Sequence, residues 1–192
     1  MQTIDQLIAN SCQQHAQSTA LQQKQGKDWV DTSYKTLLGK VDILAASLRE
    51  LDVTEKDHVA ILAQSSPSWV TCYLGILRNS GIVIPVDKDL KAAELRHILA
   101  DSEAKLIFVG RPELEILIKI LDDLPLLKQI VLLDTDPLQR GEEGRDNSQL
   151  IEISQTLRSI ISDDTLAKDK RLQLEDVCHK LEQELRPDED KL

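Results

Sequence analysis

Four short runs are apolar at almost every position: HVAIL (58–62), GIVIPV (81–86), KLIFVG (105–110) and QIVLLD (129–134). A strand with one wet face alternates apolar and polar residues, whereas these runs do not. Strands of that kind are buried on both faces, as in a parallel sheet covered by helices. Helical segments fall between the runs. Ser66 is placed to cap the first and Pro67 to open it, with Trp69, Tyr73, Ile76 and Leu77 as its inner face. AAELRHILADS supplies the second, and Pro112 opens the third, with Leu114, Leu117, Ile118 and Leu121 turned inward. The expected fold class is α/β: a doubly wound, mainly parallel sheet flanked by helices, with right-handed crossovers.

Upstream, Thr3 and Gln6 make a capping box for a helix reaching about Gln17, with Ile4, Leu7, Ile8 and Cys12 on its apolar side. ALQQK and WVDTS bracket Gly26, Lys27 and Asp28, which predicts a hairpin. Ser33 is placed to cap a second helix, along which Leu37, Val41, Leu44, Leu48 and Leu51 form an amphipathic stripe. Downstream, TDPLQRGEEGRDNSQ reads as a long polar loop. Two amphipathic helical patterns follow it, one on Leu150, Ile153, Leu157 and Ile160, the other on Leu174, Val177, Leu181 and Leu185; Pro187 ends the second and a linker follows. The expected organisation is an α/β unit over 1–134 and a helical extension over 135–192. Charge divides the same way: 17 acids against 14 bases up to Leu133, net −3, and 16 against 9 beyond it, net −7.

A net charge of −10 argues against a nucleic-acid partner, because phosphate binding needs a basic surface. No apolar run approaches the roughly 20 residues of a membrane span. The N-terminus has no basic start or apolar core of a secretory signal, and Cys12, Cys72 and Cys178 stand far apart, so a reducing, cytoplasmic setting is expected.

Ligands of such sheets bind beyond the carboxyl ends of the strands. Ser65 and Ser66 are candidates there for an anion, and Asp87 and Asp89 for a metal or for acid–base work. The plainer readings are a helix cap for the serines, a local backbone cap for Asp87 and a solvated Asp89. His15, His58, His97 and His179 have no partner at ligand spacing, since Cys178 and His179 point apart on a helix, and no G-x-S-x-G elbow occurs. Trp29 and Trp69 read as packing anchors. Glycines stand at 26, 39, 75, 81, 110, 141 and 144. Only Gly141 and Gly144 are close together, amid acids, so the residues offer no phosphate cradle.

In order, TIDQLIANSCQQHAQSTAL, DWVDTSYKTLLGKVDILAASLREL, the span from DHVAILAQSSPSWV through ELRHILADSEAKLIFVG, and QIVLLD resemble the N-terminal part of AMP-forming acyl-CoA synthetases. The terminal RPDEDKL is similar to the stretch preceding the phosphate loop of long-chain fatty-acyl-CoA ligases. The resemblance implies a parent that activates a carboxylate with MgATP as an acyl-adenylate and passes the acyl group to CoA or another thiol. The family's phosphate loop, nucleotide-binding segments and catalytic lysine normally lie downstream. No catalytic, cofactor-binding or metal residue is therefore carried over, and no cofactor is expected for this fragment itself. The chain departs from the family in LDVTEKDHVAI, where Asp52, Lys56 and His58 replace turn glycines and a Gly-Asp-Arg, and at Asn79-Ser80, where two small residues are usual. Asp52 and Asn79 are expected at left-handed positions, at modest cost.

The leading expectation is an N-terminal fragment of an ATP-dependent fatty acid–CoA ligase, inactive alone. A second is a degenerate synthetase N-domain acting as an interaction module through its acidic helices. A third is a small-ligand binder using Ser65, Ser66 and Asp87. The expected partners are the remainder of the synthetase or a second copy of the chain.

Overall fold

The computed structural model describes residues 3–133. The expected acidic helices, the linker, Gly141, Gly144, Cys178 and His179 lie outside the described residues.

Helix α1 (Ile4–Gln14) starts at the expected capping box, with Thr3 Oγ1 accepting from the Gln6 amide and Gln6 Oε1 accepting from that of Thr3. It ends at Gln14, short of the expected Gln17, where His15 leaves helical geometry. Strands β1 (Thr19–Gln25) and β2 (Asp28–Ser33) form the hairpin, and Gly26 at φ 58° supplies the turn's first central residue. Ser33 caps α2 (Tyr34–Glu50) by accepting from the Thr36 amide.

Four residues expected to make apolar contacts do not. Ile4 and Leu7 are half exposed, Leu51 falls on the C-cap of α2, and Trp29 is 62% exposed on the outer strand rather than anchoring anything. Among the described residues the two-stranded ribbon is covered on one side, so its outer aromatic has nothing there to pack on.

The central sheet comprises β3 (His58–Leu62), β4 (Ile82–Val86), β5 (Leu106–Gly110) and β6 (Gln129–Leu133). All its pairs are parallel, in the order β4-β3-β5-β6. From β3 the chain first steps to one side, then returns across β3 and continues to the other. With crossovers of one hand, that reversal puts the connecting helices on opposite faces. Side-chain parity agrees. Val59, Ile61, Leu106 and Phe108 pack with α2 and with Cys72 and Ile76 of α3 (Pro67–Arg78). Ala60, Leu62, Ile107 and Val109 pack on the other face with α4 (Ala92–Asp101) and α5 (Arg111–Ile118).

One expected buried strand lies instead at the edge. Among the described residues β4 has a neighbour only in β3, and Ile82 and Pro85 are exposed. The Ile82 amide donates inward to the Asp57 carbonyl at 2.9 Å. Amides 82, 84 and 86 thus face β3, and position 85 faces the open edge. Pro85 removes no ladder donor there and blocks further pairing.

The turns at the sheet's N-terminal end absorb the departures from the family pattern. Asp52 (φ 57°) and Lys56 (φ 67°) take left-handed geometry without glycine. Asn79 does not: Ser80 holds the positive φ of 60°, while Asn79 is buried and donates from Nδ2 to the Val53 carbonyl at 2.9 Å. A buried amide needs that partner, so asparagine here ties two loops together. Lys105 reaches the Asp52 carbonyl and pairs with Asp57 at 2.9 Å.

Burial alone would raise the Asp57 carboxyl, but the Thr54 amide, Lys105 and the Thr54 hydroxyl outweigh it and hold it down to about 2. A depressed carboxylate stabilises the fold above its ordinary value of 3.8 and loses that contribution as pH falls toward 2. With solvent screening the cluster is worth about 1 kcal/mol. Asp57→Asn is therefore expected to lower stability by that amount near neutrality, and the gap to wild type should close on acidification. Urea unfolding of both proteins across the acid range measures it.

Candidate functional site

The direction of travel reverses between β3 and β5, so the loops that leave their carboxyl ends run to opposite faces, and the crevice between such loops is the usual ligand position in open α/β sheets. Ser65 and Ser66 follow β3, Asp87 and Asp89 follow β4, and Gly110 ends β5. The strand runs were sufficient to locate this rim.

The structure brings the four candidates to the same end of the sheet and gives three of them local work. Ser66 Oγ accepts from the Trp69 amide at 3.1 Å and caps α3. Asp87 Oδ1 accepts from the Asp89 amide at 3.0 Å, which closes the turn into α4. Asp89 faces water and pairs with Lys88 at 2.6 Å. Ser65 is exposed. The arrangement is a set of capped turns around the crevice.

The remaining candidates are scattered. His15 lies beside Tyr34, with ring centroids 6.3 Å apart. His58 Nδ1 meets the Ser102 carbonyl, and His97 lies exposed on α4. Trp69 stacks on Tyr73 at 5.4 Å against the sheet, the packing role expected of it. Among the described residues no three His, Cys, Asp or Glu side chains gather as a metal site. Cys12 and Cys72 are buried free thiols, and burial pushes Cys72 up to about 12, which keeps it protonated and unreactive. A hollow of about 380 Å³ at the opposite end of the sheet is lined by Arg49, Asp52, Arg78 and Asn79. Arg78 is already engaged there with Asp5 and Asp42, each at 3.0 Å.

Sequence reasoning missed Glu113. It sits in the first turn of α5 beside the crevice, is 7% exposed, and its Oε2 has no hydrogen-bond partner among the described residues. Burial raises its carboxyl; its own backbone amide and Lys88 oppose the rise, and Asp89 adds to it. A glutamate three residues after the glycine that closes an apolar run was the available signal. Read alone, it is indistinguishable from an ordinary acid at a helix start.

The match to the AMP-binding enzyme model runs over residues 8–184 and takes in the hairpin, the sheet and its helices. The chain belongs to the AMP-binding enzyme family. It is 27% identical over 178 residues to the long-chain-fatty-acid–CoA ligase heimdall of Drosophila melanogaster, covering 89% of this chain and 26% of that protein. It is 30% identical over 135 residues to the hybrid PKS-NRPS synthetase pydA of an Acremonium species, covering 70% of this chain and 3% of that one. Among solved structures, an anthranilate CoA ligase, AuaEII, in complex with anthranoyl-AMP superposes with a TM-score of 0.61 at 24% identity, over 71% of this chain and 26% of that one. A long-chain-fatty-acid–CoA ligase from Archaeoglobus fulgidus gives 0.62 at 20% identity, over 67% and 26%. At those identities the structures show the fold alone. This member of the family spans about a quarter or less of the length of these relatives, and what it matches is the N-terminal part of the adenylate-forming synthetases. No helix among the described residues is long and apolar enough to cross a membrane.

Proposed function

We propose that this chain is the N-terminal part of an ATP-dependent, AMP-forming fatty acid–CoA ligase, and that it does not catalyse the reaction alone. The observation that carries the reading is the match over residues 8–184 together with a strand-end rim whose Ser66 and Asp87 are taken up in caps. ATP, Mg and CoA are the parent's reactants. A nucleotide triphosphate needs clustered backbone donors, and the glycines between Met1 and Leu133, at 26, 39, 75, 81 and 110, are too dispersed to form such a cradle. The chain alone is expected to show no ATP–pyrophosphate exchange with fatty acids. Exchange above a boiled control would overturn its inactivity. If the coding sequence continues in frame past Leu192, the extended product should exchange in response to fatty acids; exchange with none of a series of chain lengths would overturn the substrate class.

Exposed Ile43 (69%), Trp29 (62%), Ile4 and Leu7 support further polypeptide as partner, either the remainder of the synthetase or a second copy. Concentration-dependent self-association is the expected result in sedimentation equilibrium, and a monomer throughout the concentration range would refute it.

A further inference from the structure

The Glu113 carboxyl lies at the topological reversal of the sheet; its own backbone amide holds it on one side, while its Oε2 is buried without a partner among the described residues. Its Oε2 rests over the Cα of Gly110, at the end of β5, so closely that a Cβ on that glycine would stand 2.3 Å from it. The same Cβ would lie 3.3 Å from the Ala63 methyl, just past the end of β3. The side chain therefore plugs the space between the two strand ends, and glycine at 110 is what leaves room for it. Gly110 has φ −73°, which any residue adopts, so close approach, not backbone conformation, requires the glycine.

One backbone amide satisfies an ionised carboxylate there only in part and leaves its buried Oε2 unpaired; a neutral carboxyl loses less by burial. The charged groups facing it are Lys88, which favours ionisation, and Asp89, which opposes it, both on the loop after β4. Arg111 stands on the same helical turn, and among the described residues the strand ends contribute Ala63 and Gly110, neither of them charged. Lys88 is exposed and paired with Asp89, so it compensates an inward charge weakly and offers an outward one a partner in water.

We propose that Glu113 is a proton-controlled latch on the β3–β5 crevice: protonated, its side chain lies inward over Gly110 and Ala63; ionised, it swings out toward Lys88 and solvent and opens the space between the strand ends. The proton leaves to water as the side chain moves, and no other reactant is involved. The latch is closed at acid pH and opens as pH rises. It concerns this chain's own crevice and does not depend on the ligase reading.

The test is carbon-detected NMR of the full chain carrying labelled glutamate and alanine, titrated from about pH 4 to about pH 8. The expected result is a Glu113 carboxyl midpoint above its midpoint in the urea-unfolded chain, with the Glu113–Ala63 methyl cross-peak disappearing in step with the titration. Gly110→Ala should expel the side chain at every pH, abolishing the cross-peak and returning the midpoint to the unfolded value. Should that variant not fold, Glu113→Gln, which has no charge to expel it, should keep the corresponding cross-peak throughout. A midpoint equal to the unfolded one, or a cross-peak that survives ionisation, would overturn the latch.

Discussion

Phe108→Ala is expected to cost about 3–5 kcal/mol, the usual range for deleting a buried aromatic ring. Phe108 is the chain's single phenylalanine and is 3% exposed. It lies on β5, in register with Ile61 of β3 on one side and Val131 of β6 on the other. The ring packs under α2 and α3 with Leu48, Cys72 and Ile76. Strands paired on both sides cannot collapse inward without breaking their ladders, so the cavity would stay largely open. Typical domains have about 5–15 kcal/mol in total, so the loss is a large part of it. Phe108→Leu, which retains most of the volume, should recover more than half. Urea unfolding of the three proteins reads the order directly; equal midpoints for wild type and the alanine variant would show that this face is not packed as described.

Gly75→Val should cost about 2–3 kcal/mol for the opposite reason, too much volume. Gly75 is a helical residue of α3, where glycine is otherwise unfavourable by about 1 kcal/mol relative to alanine. It is tolerated because a Cβ there would lie 2.6 Å from Cδ2 of Leu44 and 3.0 Å from its Cβ. The first contact yields to a rotamer change. The second yields only if α2 moves off α3. Gly75→Ala should be intermediate, since its helical gain of about 1 kcal/mol offsets part of the clash. The pair Gly75→Ala with Leu44→Gly, which removes the Leu44 Cβ as well, should lie closer to wild type than the two single losses combined. Thermal unfolding of the four variants supplies the cycle, and strict additivity would sink the contact argument.

Much of this architecture was legible beforehand because its signals are local. Thr3, Ser33 and Ser66 cap helices through amides three residues away, and each cap stands where the pattern put it. The unbroken apolar runs marked the parallel strands. Asp87 was read correctly as a backbone cap for the same reason, since its partner is the Asp89 amide. Readings that needed a neighbour in space fared worse. The type of Trp29 predicts an anchor, but anchoring requires a surface to meet, and among the described residues the hairpin's outer side has none. Asn79 was assigned a left-handed turn, whereas the carbonyl of Val53, 26 residues away, holds it in a buried amide bond and passes the turn to Ser80.

The candidate site divides along the same line. The strand ends located the rim, and the sequence placed Ser65, Ser66, Asp87 and Asp89 on it. Glu113 went unnoticed because burial is a property of what covers a residue, and an acid in the first turn of a helix carries no local sign of it.

By itself, then, the sequence determined the elements, their caps, the parallel character of the sheet and the family, since each depends on residues within about a turn of one another or on an ordered series of such segments. The tertiary structure alone decided that β4 lies at the edge of the described sheet with Pro85 facing outward, that Gly75 admits Leu44, and that Gly110 makes room for the buried Oε2 of Glu113. Those are facts about packing between segments distant in the chain, and periodicity carries no information about which distant surface arrives.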